Sequence, residues 1–211
     1  MLPAYARARQ PKNAHTDRAT IDDILDTGLV AHVGFLDAGR PMVMPMAHAR
    51  IGDALYLHGA SKTRIAKLDG VAVCLTVTQL HGIVVARSGF HHSVNYRSAI
   101  VHGTARVVEG QEIDEALIAI TDHLLPGRSA EIRPMTPQER KATGVVAIDI
   151  EHASAKVRTG PPRDDPDDHA SGLWGGVLPV VTGLGRGVSD AHTPDDAPEP
   201  PSLGAAREKF V

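Results

Sequence analysis

The densest concentration of reactive and charged groups in this chain is the run Leu55-Tyr-Leu-His-Gly-Ala-Ser-Lys-Thr-Arg-Ile-Ala-Lys67. An apolar strand ends at Gly59, and the pattern predicts a short helix over residues 61–68. The first turn of a helix offers unpaired N–H groups and the positive end of its dipole, a ready site for an anion. Ser61 and Thr63 add hydroxyls there, and Lys62 and Arg64 add positive charge, a combination that suits a phosphate monoester. A solvated basic helix face capped by serine has the same composition, so both readings stay open. His58 stands just before this segment. Its imidazole titrates near neutral pH and is a candidate to contact a cofactor or pass a proton to a substrate.

Weaker signals lie elsewhere. Asn95-Tyr-Arg-Ser98 and His102-Gly103 either contact a ligand or form the polar outward face of a strand. Trp174, the one tryptophan, lies in a small apolar island and either plugs a groove or covers a planar ligand. The pair His91-His92 has no H-E-x-x-H pattern or carboxylate at helical spacing, so no metal site is expected. The single cysteine, Cys74, sits in an apolar run and is expected to pack in the core. A lone cysteine builds no disulfide framework, which points to a reducing compartment.

The elements that must position these groups are mostly strands. Residues 20–27 read as a short helix capped by Thr20 and ended by Gly28. Apolar runs at 29–36, 41–51, 54–58, 71–78 and 95–108 are separated by turn signals such as Asp37-Ala-Gly-Arg40 and Gly52-Asp53. Residues 81–87 continue or rim the sheet, and Gly103 suits a barrel bend. Residues 113–125 carry Ile113, Leu117, Ile120 and Leu124 at helical spacing. Thr136-Pro-Gln-Glu139 is a capping box with proline at the first helical position. Residues 144–150 form the last core strand, which is expected to run on towards Val157. Strands joined by hairpins with few helices between them make an antiparallel barrel, mainly β, rather than a parallel sheet.

The 211 residues carry 22 Lys+Arg and 25 Asp+Glu, a net charge of −3, which provides no basic field for a nucleic-acid backbone. No apolar stretch approaches a membrane span, and residues 1–10 have no secretory apolar core, so a cytoplasmic protein is expected. The division expected is an N-terminal arm over 1–19, a barrel over 20–160 and an extended tail over 161–211. The tail opens on the acidic, proline-rich run Pro161-Pro-Arg-Asp-Asp-Pro-Asp-Asp168.

The ordered set is a hairpin, Leu-Tyr-Leu-His-Gly, Ser-Lys-Thr-Arg, the Asn-Tyr-Arg-Ser strand, a helix, Ala-Lys-Val-Arg-Thr-Gly-Pro and Leu-Trp-Gly-Gly-Val-Leu-Pro. It resembles the flavin-nucleotide-binding branch of the pyridoxamine 5′-phosphate oxidase-like superfamily, which includes the Nim-type nitroimidazole reductases. The resemblance covers roughly residues 20–180. It implies an FMN-binding split barrel, working as a homodimer with flavin in clefts between two barrels. By position it implies that Ser61, Lys62 and Arg64 hold the phosphate, with His58 beside them. Val43, Met44 and Pro45 would lie along the flavin, Ser98 would contact it from the facing strand, and Trp174 would approach it from the tail. Residues 42–46 lack the Arg and Lys of pyridoxamine phosphate oxidases, and their closing Arg-Leu-His-Asp-Arg motif is missing, so that substrate is not implied. The function expected is an FMN-dependent oxidoreductase acting on a small molecule stacked on the flavin. The alternative is a non-catalytic flavin, haem or deazaflavin carrier or sensor. Haem would require an axial ligand such as His48 or His102.

Overall fold

The computed structural model describes residues 2–7, 11–194 and 196–210; Met1 and residues 8–10 of the expected arm lie outside them. The elements in chain order are β1 (Ala14–His15), α1 (Arg18–Thr27), β2 (Ala31–Asp37), β3 (Arg40–Met46), β4 (His48–Ile51), β5 (Ala54–Ala60), β6 (Ala72–Val85) and β7 (Ser93–Val107). They continue with α2 (Glu112–Leu124), α3 (Pro137–Ala142), β8 (Thr143–Asp149), β9 (His152–Arg158), β10 (Gly176–Pro179) and α4 (Pro201–Lys209).

The pairing is antiparallel throughout, in the order β3-β2-β6-β7-β8-β5-β4. The two ends of that path, β3 and β4, are successive stretches of one segment broken only at Ala47. The sheet therefore wraps a core without a closing ladder, as in a split barrel. The long strand β7 changes partner midway. Tyr96 to His102 pair with β9, and Ala105 to Val107 pair with β8. Gly103 sits at that corner, where a Cβ would overlap the Asp149 carbonyl. The bend expected from the glycine is present, and close approach is its cause.

Inside the wrap lies the main core, which includes Val33, Leu55, Leu57, Leu75, Val101, Val146 and Ile148, with Ile21, Ile24 and Leu25 of α1 closing one end. A second, smaller core forms where α2 lies on the outer face of β4, β5 and β8, through Tyr56, Ala116, Ile120 and Ala147. Glu112 fixes α2 there. It accepts from the Tyr56 hydroxyl at 2.6 Å and pairs with Arg106. The Arg106 guanidinium and the Tyr56 hydroxyl hold the Glu112 carboxyl at about 2.

Several expectations need correction. The cap of α1 is Asp17, which accepts from Thr20 N at 2.9 Å, because the helix begins two residues before Thr20. No helix starts at Ser61: residues 61–64 form an exposed turn, followed by one 3-10 turn over Ile65–Lys67. The Ser61 N–H already donates to the Ala142 carbonyl at 2.8 Å, so a helix-dipole anion site is not formed there. Cys74 is exposed, because β6 alternates and places Val73 and Leu75 inside. The strand expected to run from 144 towards 157 is two strands, β8 and β9, with the reversal at residues 150–151.

The tail is not simply extended. Asp164 accepts from Arg87 N and Arg87 Nη1 at 2.9 and 2.8 Å, and β10 pairs with β6 from Gly82 to Val85. The tail then ends in α4, whose Ser202 hydroxyl donates to Glu131 at 2.6 Å. Phe210 follows and is buried. Low apolar periodicity hid this helix from the sequence; it is anchored by side-chain bonds such as Ser202 to Glu131 and Lys209 to His123 and by the buried Ala206 and Phe210. Among the described residues no helix is long and apolar enough to cross a membrane, and no cluster of three potential metal ligands occurs.

Candidate functional site

Alternation along the strands sorts the candidate residues into two regions. On β3, Met42, Met44 and Met46 pack against the core, while Val43 and Pro45 point outward, Val43 being 65% exposed. Val43 lines a shallow cavity of about 440 Å³ with Gly34, Leu36, Cys74, His102 and Tyr5. Ser98 faces the same way from β7 and lines an adjoining hollow that shares Tyr5 and His102. This outward face of β2, β3, β6 and β7 has few charges and exposes Leu36 as well as Val43. Partial desolvation on this apolar face raises the pKa of the exposed Cys74 thiol, which disfavours the thiolate of a nucleophile.

The exposed turn over residues 61–64 reaches the rim of this face. Arg64 Nε lies 2.8 Å from the Asp37 carboxylate, at the tip of the β2–β3 hairpin. Lys62 is exposed and makes no ion pair among the described residues. The turn is fixed from below by Ser61 N to Ala142 O, and by the Thr63 hydroxyl donating to Ala60 O at 2.7 Å. Gly144 allows this packing, because a Cβ there would press on Ala66 and Ser61. The structure thus brings the cationic turn to the end of the Val43 strand without a helix.

His58 belongs to the other region. On β5 it follows Tyr56 on the face that α2 covers, two residues on and just beyond the second core. It lines a cavity of about 720 Å³ between α2, residues 129–135 and α3. Its Nδ1 is buried and has no hydrogen-bond partner, and burial lowers its pKa, so the imidazole is neutral at pH 7. The structure does not gather His58 into one cavity with Val43, Ser98 or Trp174.

Trp174 is 67% exposed and folds back over Gly176 at the start of β10. Sequence reasoning overlooked the cavity under α2, since no motif marks it. The spacing of Leu117 and Ile118 against a partly buried His58 was the available hint. His48 and His102 differ sharply from His58. His48 is fully buried, with Nε2 donating to the Leu25 carbonyl at 2.9 Å and its ring 4.7 Å from that of His123. His102 stands edge-on to Tyr5 at 5.0 Å.

A family profile described as pyridoxamine 5′-phosphate oxidase matches residues 17–157. Among solved structures, the chain is similar to the flavocytochrome Anf3 from Azotobacter vinelandii, at 35% identity and TM-score 0.89, covering 96% of each chain. It is similar to the FAD and haem binding protein from Mycobacterium smegmatis, at 36% identity and TM-score 0.89, covering 93% of this chain and 98% of that one. A candidate 5-nitroimidazole antibiotic resistance protein from Bacteroides thetaiotaomicron VPI-5482 shares the fold at 21% identity and TM-score 0.57, covering 72% of this chain and 95% of that one. No relative is found among curated proteins. Profile, whole-length similarity and barrel topology agree, and the chain belongs to the pyridoxamine 5′-phosphate oxidase-like split-barrel family.

Proposed function

We propose that this protein is a flavin-dependent oxidoreductase that works as a two-fold dimer. The observation that carries the reading is the cationic turn over residues 61–64, set at the end of the uncharged sheet face that holds Val43 and Ser98. Flavin supplies reversible hydride and electron transfer; the protein supplies binding, orientation and solvent exclusion. Ser61, Lys62 and Arg64 hold a phosphate, while Val43 and Pro45 offer an apolar edge to the ring system. The Met44 side chain supports that strand from the core. A face this apolar favours burial against an identical face, which completes a cleft between two protomers. Trp174, left largely exposed within one chain, is free to cover the flavin of the partner.

The anchor suits FMN or FAD, which share the phosphate next to the ribityl chain. FAD is the expected occupant, because a relative at 36% identity over nearly the whole chain is an FAD and haem binding protein. The names of both long relatives also favour a second reading, in which flavin and haem together make an electron carrier.

The test is the absorption spectrum of the purified protein, with mass analysis of released flavin and light scattering. Oxidised-flavin bands in a dimer are expected, with Trp174 fluorescence quenched and recovering when flavin is stripped. A colourless protein that binds neither FMN nor FAD on titration sinks the reading, and a monomer removes the shared cleft.

A further inference from the structure

We infer that the substrate of this protein is an organic carboxylate with a flat apolar body, and that it binds in a gap at the edge of β6. The inference deepens the reading above and rests on it for the place of the flavin. It begins from the sheet. β2 pairs with β6 as far as Val77, and β10 joins β6 only at Gly82. No strand lies beside residues 78–80 on that edge. The chain before β2, the segment after β10 and the end of α4 close around the gap and leave a cavity of about 580 Å³. That volume lies within the range that small-molecule ligands fill.

Strand register fixes where the cavity stands. His32 lines it and is the cross-strand partner of Pro45; Thr78 lines it and is the partner of Ser98. Directly opposite residues share a face, so the cavity adjoins the outward face that carries Pro45 and Ser98. The cationic turn meets the other end of that face, where Arg64 pairs with Asp37. From His32 to Asp37 along β2 is about 17 Å. A flavin held by its phosphate at the Asp37 end lies with its ring system towards His32, and a substrate meets the ring there.

The lining selects the ligand. Leu29, Val30, Leu80, Val180 and Phe210 give apolar walls. Arg97 and Lys209 bring positive charge, and among the described residues no Asp or Glu lines the cavity. Arg97 pairs with Asp23, an exposed residue of α1, so its guanidinium already accepts a carboxylate. Pairs of this kind exchange partners at little cost. Lys209 Nζ lies 2.6 Å from His123 O and 3.4 Å from His123 Nδ1, which leaves one of its three N–H bonds for a ligand. Burial lowers the Lys209 pKa, and an anion beside the ammonium offsets that desolvation. With Arg97 shared with Asp23, the two cations suit a carboxylate better than the higher charge of a phosphate monoester.

The test is calorimetric titration of the purified protein with benzoate, benzamide and phenyl phosphate, with the flavin spectrum recorded on the same samples. One benzoate per chain is expected, with a shift of the flavin band. Neutral benzamide should bind at least about tenfold more weakly, since it forgoes the charge-assisted bonds. Lys209→Gln should weaken benzoate by a similar factor and leave benzamide unchanged. Asp23→Asn frees the Arg97 guanidinium and should tighten benzoate, a gain that a damaged fold does not give. Val30→Trp fills the cavity from its exposed rim and should exclude both. Equal affinity for benzoate and benzamide, tighter binding of phenyl phosphate, or benzoate binding unchanged in Lys209→Gln and Val30→Trp overturns the inference. A protein that carries flavin and takes up no benzoate removes this inference and leaves the flavin reading standing. Benzoate bound by a protein that takes up neither FMN nor FAD removes the flavin reading and overturns the substrate role.

Discussion

Histidines at β4, α2 and β5 meet different fates in this fold. His48 on β4 and His123 on α2 are buried, and each donates from Nε2 to a carbonyl at the end of α1: Leu25 O at 2.9 Å and Gly28 O at 2.7 Å. These are carbonyls that a helix C-terminus leaves without an internal partner. The tail closes over them, with Lys209 Nζ donating to His123 O at 2.6 Å and the Phe210 ring 6.0 Å from His123. His58 on β5 has the same side chain, and its ring opens onto a cavity. The comparison teaches that a histidine here is structural or functional according to where its nitrogens point. The first set ties a helix end, a strand and the tail together through Nε2; no such tie is made by the His58 Nδ1.

The largest effect expected from breaking this contrast is on stability. His48→Ala removes a fully buried ring and leaves the Leu25 carbonyl without a donor. A loss of roughly 2–4 kcal/mol should follow, measured by urea unfolding. A loss below about 1 kcal/mol would mean that α1 ends well without His48.

The pair also sets a pH dependence. Burial, then the neighbouring His48, lowers the His123 pKa to about 4, and burial lowers that of His48. A histidine with a depressed folded pKa binds fewer protons folded than unfolded. Its contribution is therefore complete above about pH 6.5 and is lost as pH falls towards 4. From pH 7.5 to 5 the unfolding free energy should fall by roughly 2 kcal/mol. Glu112 and Glu139, both at about 2, stay ionised in the folded protein across this window and add only slightly to the slope at its acid end. His123→Gln keeps a donor for Gly28 and should flatten the slope; an unchanged slope assigns it to other groups.

Much of the barrel was legible in the sequence. The hairpin at Asp37, the corner at Gly103 and the capping box at Thr136 follow from residue types that permit few alternatives. What was not legible depended on distant partners. Ser61 carries the signature of a helix cap, but its N–H is taken by Ala142, which lies far along the chain. The run from Val71 to Val77 is apolar on both faces, so period-2 alternation did not reveal that Cys74 points outward. The site was readable as a set of residue types at Ser61, Lys62 and Arg64. The separation of His58 from Val43 depends on α2 folding over one face of β5, which no local pattern encodes.

The flavin face offers an intermediate effect. Arg64→Ala removes one charge-assisted contact to phosphate, and flavin should bind more weakly by roughly 1.5–3 kcal/mol, with the barrel still folded. Asp37 competes for the same guanidinium, so Asp37→Asn should tighten binding. Fluorescence titration reads both. An unchanged dissociation constant in Arg64→Ala removes that residue from the anchor and leaves Lys62 as the next candidate.

The smallest effect expected completes the comparison. His58 is only half-buried, and no hydrogen bond holds its Nδ1. His58→Ala therefore removes some packing, which destabilises, and also removes an unsatisfied buried polar atom, which stabilises. The two contributions oppose each other. The unfolding free energy of the cofactor-free protein should change by less than about 1 kcal/mol, against the larger loss for His48→Ala. If His58→Ala instead destabilises as much as His48→Ala does, the two histidines share a structural role, and the cavity beneath α2 is a packing defect rather than a site.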